Sequence, residues 1–303
     1  MNMGWLRWLV YLIVGLAVAG AGLYYWYFLD ARVPSGAYSI DIAEVRRLAD
    51  EVAGDKPVEI RAEQVFKFRF PFSVMVVGKG WEEIDVPVFS YQVAYADRAI
   101  VVDTGVNGVE SKADPNFDAA AYARMQTAML TAANIVITHE HPDHIGGLVA
   151  AENLPAVLSH TQLTTEQADP NRKYGPKLPE GALTNYTPLS YERYHALAPG
   201  VVLIKAPGHT PGSQLVYVKL ADGREVLLLG DVAWRMESVK TLAPRARYVS
   251  DFYLNEDRPA VILQLAELKR LHEAEPGIVM VAGHDATQMA ELVKAGTIKL
   301  GFQ

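Results

Sequence analysis

The most prominent feature of the hydropathy pattern is a stretch from Trp8 to Leu29 without a single charged residue. As a helix, at about 1.5 Å per residue, it would be roughly 33 Å long, enough to cross the hydrocarbon core of a bilayer. Trp5 and Trp8 stand at one end and Tyr24, Tyr25, Trp26 and Tyr27 at the other, the distribution of interfacial aromatic belts. The pattern predicts one N-terminal transmembrane helix within residues 1–30, retained as a signal anchor. A cleaved signal peptide is the rival, with Ala17-Val18-Ala19 as a small-residue processing site, and a buried core helix is a third reading. Arg7 and the terminal amine precede the span, whereas Asp30 and Arg32 nearly cancel after it, which favours a cytoplasmic N-terminus. The expected protein is therefore single-pass, touching the lipid bilayer through residues 8–29, with its globular part periplasmic or otherwise extracytoplasmic.

Residues 31–57 read as a linker, Pro34-Ser35-Gly36, and a small surface helix in Ile40 to Ala53, where apolar residues recur at helical spacing. The remainder, residues 58–303, reads as one domain. Gln64 to Phe70, Ser73 to Val77, Val86 to Ala94 and Ala99 to Val102 are β-rich runs. Later runs alternate with helices: a helix at Phe117 to Ala133 and strands at Ile135 to Thr138, Ala156 to Ser159, Val201 to Ala206, Leu215 to Lys219 and Val226 to Leu229. A long helix at Pro259 to Glu273 and a strand at Ile278 to Ala282 complete the series. Strands early and mixed elements late suggest sheets covered by helices. Gln162 to Tyr194, rich in Pro, Gly, Asn and Thr, carries no clear period.

Composition narrows the chemistry. The 303 residues include 28 Lys and Arg against 35 Asp and Glu, a net charge of −7, so there is no general basic field for nucleic acid. With no cysteine, disulfides, thiolate nucleophiles and sulfur-ligated metals are excluded. A metal would rest on His, Asp and Glu.

Three of the eight histidines fall within Thr138-His139-Glu140-His141-Pro142-Asp143-His144-Ile145-Gly146-Gly147. In an extended loop, residues two apart point the same way, so His139 and His141 can chelate one ion while Asp143 and His144 turn toward a second. His209 follows the run Val201 to Lys205 in a Pro-Gly-His-Thr-Pro-Gly loop, Asp231 follows Leu227-Leu-Leu-Gly230, and His284 follows Val279-Met-Val-Ala-Gly283. Each time a buried strand ends, a glycine permits a sharp turn and a metal-type ligand appears. Asp103, in Val101-Val-Asp-Thr-Gly105, has the same setting and is expected to buttress the histidine loop. Trp234, close to Asp231, is a candidate wall of the substrate pocket. His160, His195 and His272 stand alone and read as structural; Tyr174, Tyr186, Tyr191 and Tyr194 read as packing aromatics, with a lid as the alternative.

The ordered set DTG, HxHxDH, PGHTPG, GD and GHD resembles the metallo-β-lactamase superfamily from about Val58 to the C-terminus. Within it the chain is most similar to the N-acyl-homoserine lactonases, through Ala99-Ile-Val-Val-Asp-Thr-Gly105 and Gly277-Ile-Val-Met-Val-Ala-Gly-His-Asp-Ala-Thr-Gln288. The resemblance implies an α/β (α+β) four-layer αββα sandwich behind the N-terminal transmembrane helix. It also implies two divalent metal ions, Zn2+ foremost, with Mn2+, Co2+ or Fe2+ as substitutes. One would rest on His139, His141 and His209, the other on Asp143, His144 and His284, with Asp231 bridging. The lactonases carry tyrosine three residues after the bridging aspartate, where this chain has Trp234, which can donate one hydrogen bond but has no phenol.

Two dications on such ligands would acidify a bridging water, giving a hydroxide that attacks a lactone or ester carbonyl, with Asp143 shuttling the proton and Asp231 holding both metals. The expected function is a membrane-anchored dinuclear metal-dependent hydrolase, with N-acyl-homoserine lactone ring opening as the leading activity on a small-molecule substrate. Thioester hydrolysis of the glyoxalase II type or phosphodiester hydrolysis on the same site is the alternative. A di-iron redox centre resembling the flavodiiron proteins is disfavoured, because those carry Glu where this chain has His141. A non-catalytic membrane-anchored binding or sensor module is the reading from another class.

Overall fold

The computed structural model describes residues 3–303. Helix α1 (Met3–Tyr24) continues into a π-helical turn, Tyr25–Leu29, and α2 (Ile42–Ala49) follows the linker. The first half of the domain contains β1 (Glu59–Pro71), α3 (Phe72–Met75), β2 (Glu83–Ala94), β3 (Ala99–Val102), α4 (Gly108–Ser111), α5 (Ala119–Thr131), β4 (Asn134–Val136), α6 (Pro142–Val149), α7 (Leu154–Leu158) and α8 (Thr165–Ala168). The second contains β5 (Tyr194–Ala198), β6 (Val201–Lys205), β7 (Gln214–Lys219), β8 (Glu225–Leu228), α9 (Met236–Thr241), α10 (Arg258–Ala274), β9 (Ile278–Val281), α11 (Ala286–Lys294) and β10 (Lys299–Leu300).

The strands form two five-stranded sheets, ordered β10-β1-β2-β3-β4 and β5-β6-β7-β8-β9. Side chains of a strand alternate between faces, and here both faces are buried. In β6, Val201 and Leu203 enter the core between the sheets, whereas Val202 and Ile204 pack beneath α10 and α2. In β3, Ile100 and Val102 face the other sheet, and Val101 packs with Met125 and Met129 of α5. This double burial explains the unbroken apolar runs in the sequence. The result is the expected αββα sandwich.

Several elements depart from expectation. Ser73 to Val77 is not a strand: the Phe72 and Ser73 amides donate to Glu82 and Gly80 carbonyls, and Val76 N–H closes a helical turn on Phe72 O. The β-branched run packs instead with Trp234 and Ala246. Ala156 to Ser159 is the end of α7, started by the Asn153 side chain and Pro155 in the first turn, a helix-start signal that outweighs the apolar run. The helix in Ile40 to Ala53 is shorter than drawn and buries Val45 and Ala49 on the second sheet. Asp143 and His144 occupy the first turn of α6 and not an extended loop. The buried-core reading of the N-terminal helix is overturned, since no residue of its most apolar window is buried.

Strands β3 and β4 are parallel, as are β8 and β9, and β6 runs the same way as β8 because β7 is antiparallel to both. Their C-terminal ends therefore share an edge within each sheet. There the backbone is tight: a Cβ on Gly147 would lie 2.0 Å from the Thr104 carbonyl oxygen. Gly147→Ala is expected to push α6 off the sheet and destabilise the protein by about 1–3 kcal/mol in chemical denaturation.

Candidate metal centre

Five strand ends deliver the polar residues. Asp103 follows β3, the His139–His144 segment follows β4 and opens α6, His209 follows β6, Asp231 follows β8, and His284 follows β9. His139, His141, His209 and Asp231 each place one donor atom within 4.8 Å of the others, and Asp143, His144 and His284 do the same. Each group could hold one metal ion. The Asp231 carboxylate divides between them. Its Oδ2 lies 3.3 Å from His209 Nε2 and 3.6 Å from His139 Nε2, and its Oδ1 lies 3.0 Å from His284 Nε2 and 3.3 Å from His144 Nε2. Asp143 Oδ2 stands 3.6 Å from the Nε2 atoms of both His144 and His284. The structure thus brings together all seven residues that the sequence marks as ligands.

The outer nitrogens of four rings are engaged elsewhere. His144 Nδ1 donates to Asp103 Oδ2 at 2.8 Å, His209 Nδ1 to Glu256 Oε2 at 2.9 Å, His284 Nδ1 to the Pro87 carbonyl at 2.8 Å, and His139 Nδ1 to Thr138 Oγ1 at 3.2 Å. Such partners fix the ring orientation and turn the second nitrogen of each ring into the site. Yet His141 Nδ1 lies 3.1 Å from His139 Nε2 and 2.8 Å from His209 Nε2. Acceptors that close repel one another unless a cation or proton lies between them. His144 Nε2 and Asp231 Oδ1 are also buried without a hydrogen-bond partner. The donor set fits divalent metal.

Asp103 holds the histidine loop from behind. With φ of +61°, a left-handed conformation that aspartate tolerates better than most residues, it accepts from Thr138 N–H at 2.7 Å and from Thr138 Oγ1 at 2.8 Å. This is the buttress that the sequence suggests. Glu140, between two ligands, turns away: it accepts from Gly212 N–H at 2.9 Å and from the Thr210 hydroxyl, tying this loop to the His209 loop. Burial pushes its carboxyl up. Glu256 and Arg245 escape sequence reasoning. Arg245 donates to Glu256 Oε2 at 2.5 Å and to the Asp231 carbonyl at 2.8 Å. Burial works against the Glu256 charge, but Arg245 and His209 outweigh it and hold the carboxyl well below its usual range. Neither residue stands in a motif; each sits among other charged residues, Arg245 near Arg247 and Glu256 beside Asp257 and Arg258.

Trp234 is buried, edge-on to the His284 ring at 5.8 Å, and donates its indole N–H to Asp231 Oδ2 at 2.6 Å. It lines a cavity of about 430 Å³ that opens on His141, Asp143, Asp231 and His284. Tyr174 sits 6.0 Å from His141 and donates to the Asn255 carbonyl. Tyr186, Tyr191 and Tyr194 spend their hydroxyls on Thr161, Gln214 and the Asp41 amide, as packing residues do. His160, His195 and His272 belong to neither ligand group.

Burial, then the neighbouring His144, keeps His139 well below its ordinary proton affinity, and burial followed by His209 does the same for His141. Burial also disfavours charge on His144 and His284, but carboxylates win there: Asp103 first for His144, Asp231 for His284, both raised above 6.5. Metal entering the second group must displace those protons. Apparent metal affinity should therefore fall as pH is lowered through neutrality, with proton release on loading, as measured by titration in weakly buffered solution. Asp103→Ala should lower metal affinity about 10- to 100-fold in competition with a chromogenic chelator.

The sequence profile of the metallo-β-lactamase superfamily matches residues 84–284. An N-acyl homoserine lactonase from Bacillus sp. is 27% identical over 228 residues, spanning 68% of this chain and 84% of that protein. One from Bacillus cereus is 31% identical over 157 residues, 51% of this chain and 56% of the relative, so the match spans just over half of that protein's length. A solved N-acyl homoserine lactone hydrolase with N-hexanoyl-L-homoserine at its catalytic metal center superposes with a TM-score of 0.62 at 20% identity, covering 78% of this chain and 96% of that one. With the fold, two groups of metal-type donors and this match in hand, the chain belongs to the metallo-β-lactamase superfamily as a dinuclear metallohydrolase.

Proposed function

We propose that the protein is a membrane-anchored hydrolase that opens N-acyl-homoserine lactones. His139, His141 and His209 would hold one metal, Asp143, His144 and His284 the other, with Asp231 between them and zinc as the metal in both. Gly4–Leu29 would be the anchor, with Arg7 on the cytoplasmic side and the catalytic domain outside the cytoplasm. The relatives named as lactonases support the substrate class.

The observation that carries the choice of substrate is the cavity wall. Phe66, Phe68, Phe70, Val86 and Trp234 form an apolar side, and no Lys or Arg lines the cavity. A glutathione thioester brings carboxylates remote from the reacting carbonyl that such a wall leaves uncompensated, and a phosphodiester would have only the metals to meet its charge, whereas a neutral lactone with an acyl tail matches the wall. Bound divalent cations supply Lewis acidity and an acidified water as nucleophile. The chain's own part is positional. Both aspartates line the cavity, and Asp143, whose side chain is 18% exposed against 3% for Asp231, is the more open of the two and would carry a proton to the departing oxygen. Asp231, held by Trp234, keeps its two oxygens turned to the two ligand groups. At the sequence position where the lactonases carry tyrosine, the Trp234 indole N–H supplies a hydrogen bond to the carboxylate without a phenolic proton to transfer.

A panel of acyl-homoserine lactones of rising acyl length, a p-nitrophenyl ester, a glutathione thioester and a phosphodiester tests the reading on zinc-loaded full-length protein. Turnover should favour the lactones and rise with acyl length, and chelation or His141→Ala should remove at least roughly a hundredfold of it. Preference for the phosphodiester or thioester, or activity indifferent to His141→Ala, would overturn the assignment.

A further inference from the structure

Beyond Leu29, the exposed aromatic side chains among the described residues are Trp81, Tyr248, Phe252 and Tyr253, exposed by 52, 52, 66 and 71%. They lie in one patch, and that patch adjoins the end of the apolar helix. Phe28 packs on Trp81 at 5.3 Å and on Tyr248 at 5.8 Å, Tyr27 on Phe252 at 5.7 Å, and Tyr248 on Phe252 at 5.8 Å. An unbroken chain of rings joins the helix to the globular part.

The joint is pinned by charge. Asp30, one residue past the helix, is 2% exposed; it accepts from Arg32 Nε and from Arg247 Nη2, both at 2.7 Å, and its carbonyl accepts from Arg258. Arg32, then Arg247, hold its carboxyl well below the ordinary range against the cost of burial. Arg247 also stacks on the Trp26 ring at 4.0 Å, with Arg32 at 5.2 Å. A buried carboxylate among three arginines tolerates no loosening without leaving charge unpaired. The helix therefore meets the domain at a set orientation, with its last turns against one particular face.

That face holds the mouth of the metal site. Tyr253 and Leu254 line the cavity, next to Phe70 and Trp234, while Tyr253 stands largely in solvent. Phe28, Phe70, Val249 and Leu254 share one apolar cluster that runs from the helix end to the cavity wall. Trp and Tyr are the side chains that settle at the headgroup level, and arginine heads reach the phosphates beside them.

We propose that Trp81, Tyr248, Phe252 and Tyr253 enter the lipid interface beside the span, so that the cavity opens onto the bilayer surface and receives amphiphilic esters by their acyl tails from the membrane. The occupant is lipid, because the patch is continuous with the aromatic end of a helix whose most apolar window is wholly unburied. This deepens the anchored-lactonase reading and rests on its membrane span.

With no native cysteine, single nitroxide labels can be placed by Phe252→Cys and, as a control, by Asp222→Cys. Asp222 lies in the exposed turn between β7 and β8, at the sheet edge opposite the ligands. The full-length protein is reconstituted in phosphatidylcholine vesicles, floated after carbonate washing, and its labels are compared for collision with oxygen and with a water-soluble nickel chelate. The label at 252 should be relaxed by oxygen and shielded from nickel, and the label at 222 the reverse. Protein that fails to float removes the anchor reading itself; protein that floats with both labels equally open to nickel overturns the docking surface alone. In the same vesicles, Trp81→Ser combined with Phe252→Ser should lower kcat/KM about tenfold on a long-acyl ester and leave a short, soluble ester unchanged. Equal loss on both would overturn the membrane route.

Discussion

Lone pairs crowd one another at the edge of the sandwich. Five imidazoles and two carboxylates turn their acceptor atoms inward, some within 3.1 Å of each other, and the rest of the molecule is arranged to withstand that repulsion until a cation relieves it. Four of the five rings are gripped from outside by an oxygen acceptor, which holds them against rotation. Those acceptors are themselves held: Asp103 by both polar groups of Thr138, Glu256 by Arg245 and the Ser250 hydroxyl. The site is thus two layers deep, and the outer layer sets the geometry of the inner one.

Such rigidity needs a stiff frame. The frame is the pair of sheets whose β-branched side chains fill both faces, leaving the strand ends as the places where polar groups can gather without disturbing the core. Glu140 adds a cross-tie between the loops after β4 and β6, which belong to different sheets. Asp231 is fixed by the Trp234 indole N–H on its carboxylate and by Arg245 on its backbone carbonyl. Beside it the cavity wall is formed by Phe66, Phe68, Phe70 and Trp234, with no lysine or arginine among the described lining residues.

The residues of the two candidate metal groups are legible in the sequence because each follows a short local rule: apolar strand, turn-forming glycine or polar loop, then a metal-type side chain. His209, Asp231 and His284 could be read singly in that way, and Asp103 by the same rule. The strands of the sandwich were legible as apolar runs, but two such runs, at Val74 and at Ala156, became helical turns once tertiary hydrogen bonds and an Asn-Leu-Pro start intervened. Glu256, Arg245 and the Asp30 joint were not legible. Glu256 and Arg245 are 11 residues apart, and Asp30 is 217 residues from Arg247 and 228 from Arg258, and pairings at such separations leave no period or motif in the chain. The π-helical segment Val249–Leu254, which carries Phe252 and Tyr253, likewise has no distinguishing pattern.

One pairing bears on how the chain reaches this state. Arg61 of the domain's opening strand is registered with Lys299 of its closing strand, and Phe302 donates its amide to Glu63. The first sheet thus gains its outer strand only when the last residues arrive, and contacts of this sequence separation make for slow folding. Until then Arg61 and Ala62, near the start of β1, lack the short strand that pairs with them on that edge. During synthesis that edge is the part most open to pairing with a neighbouring chain.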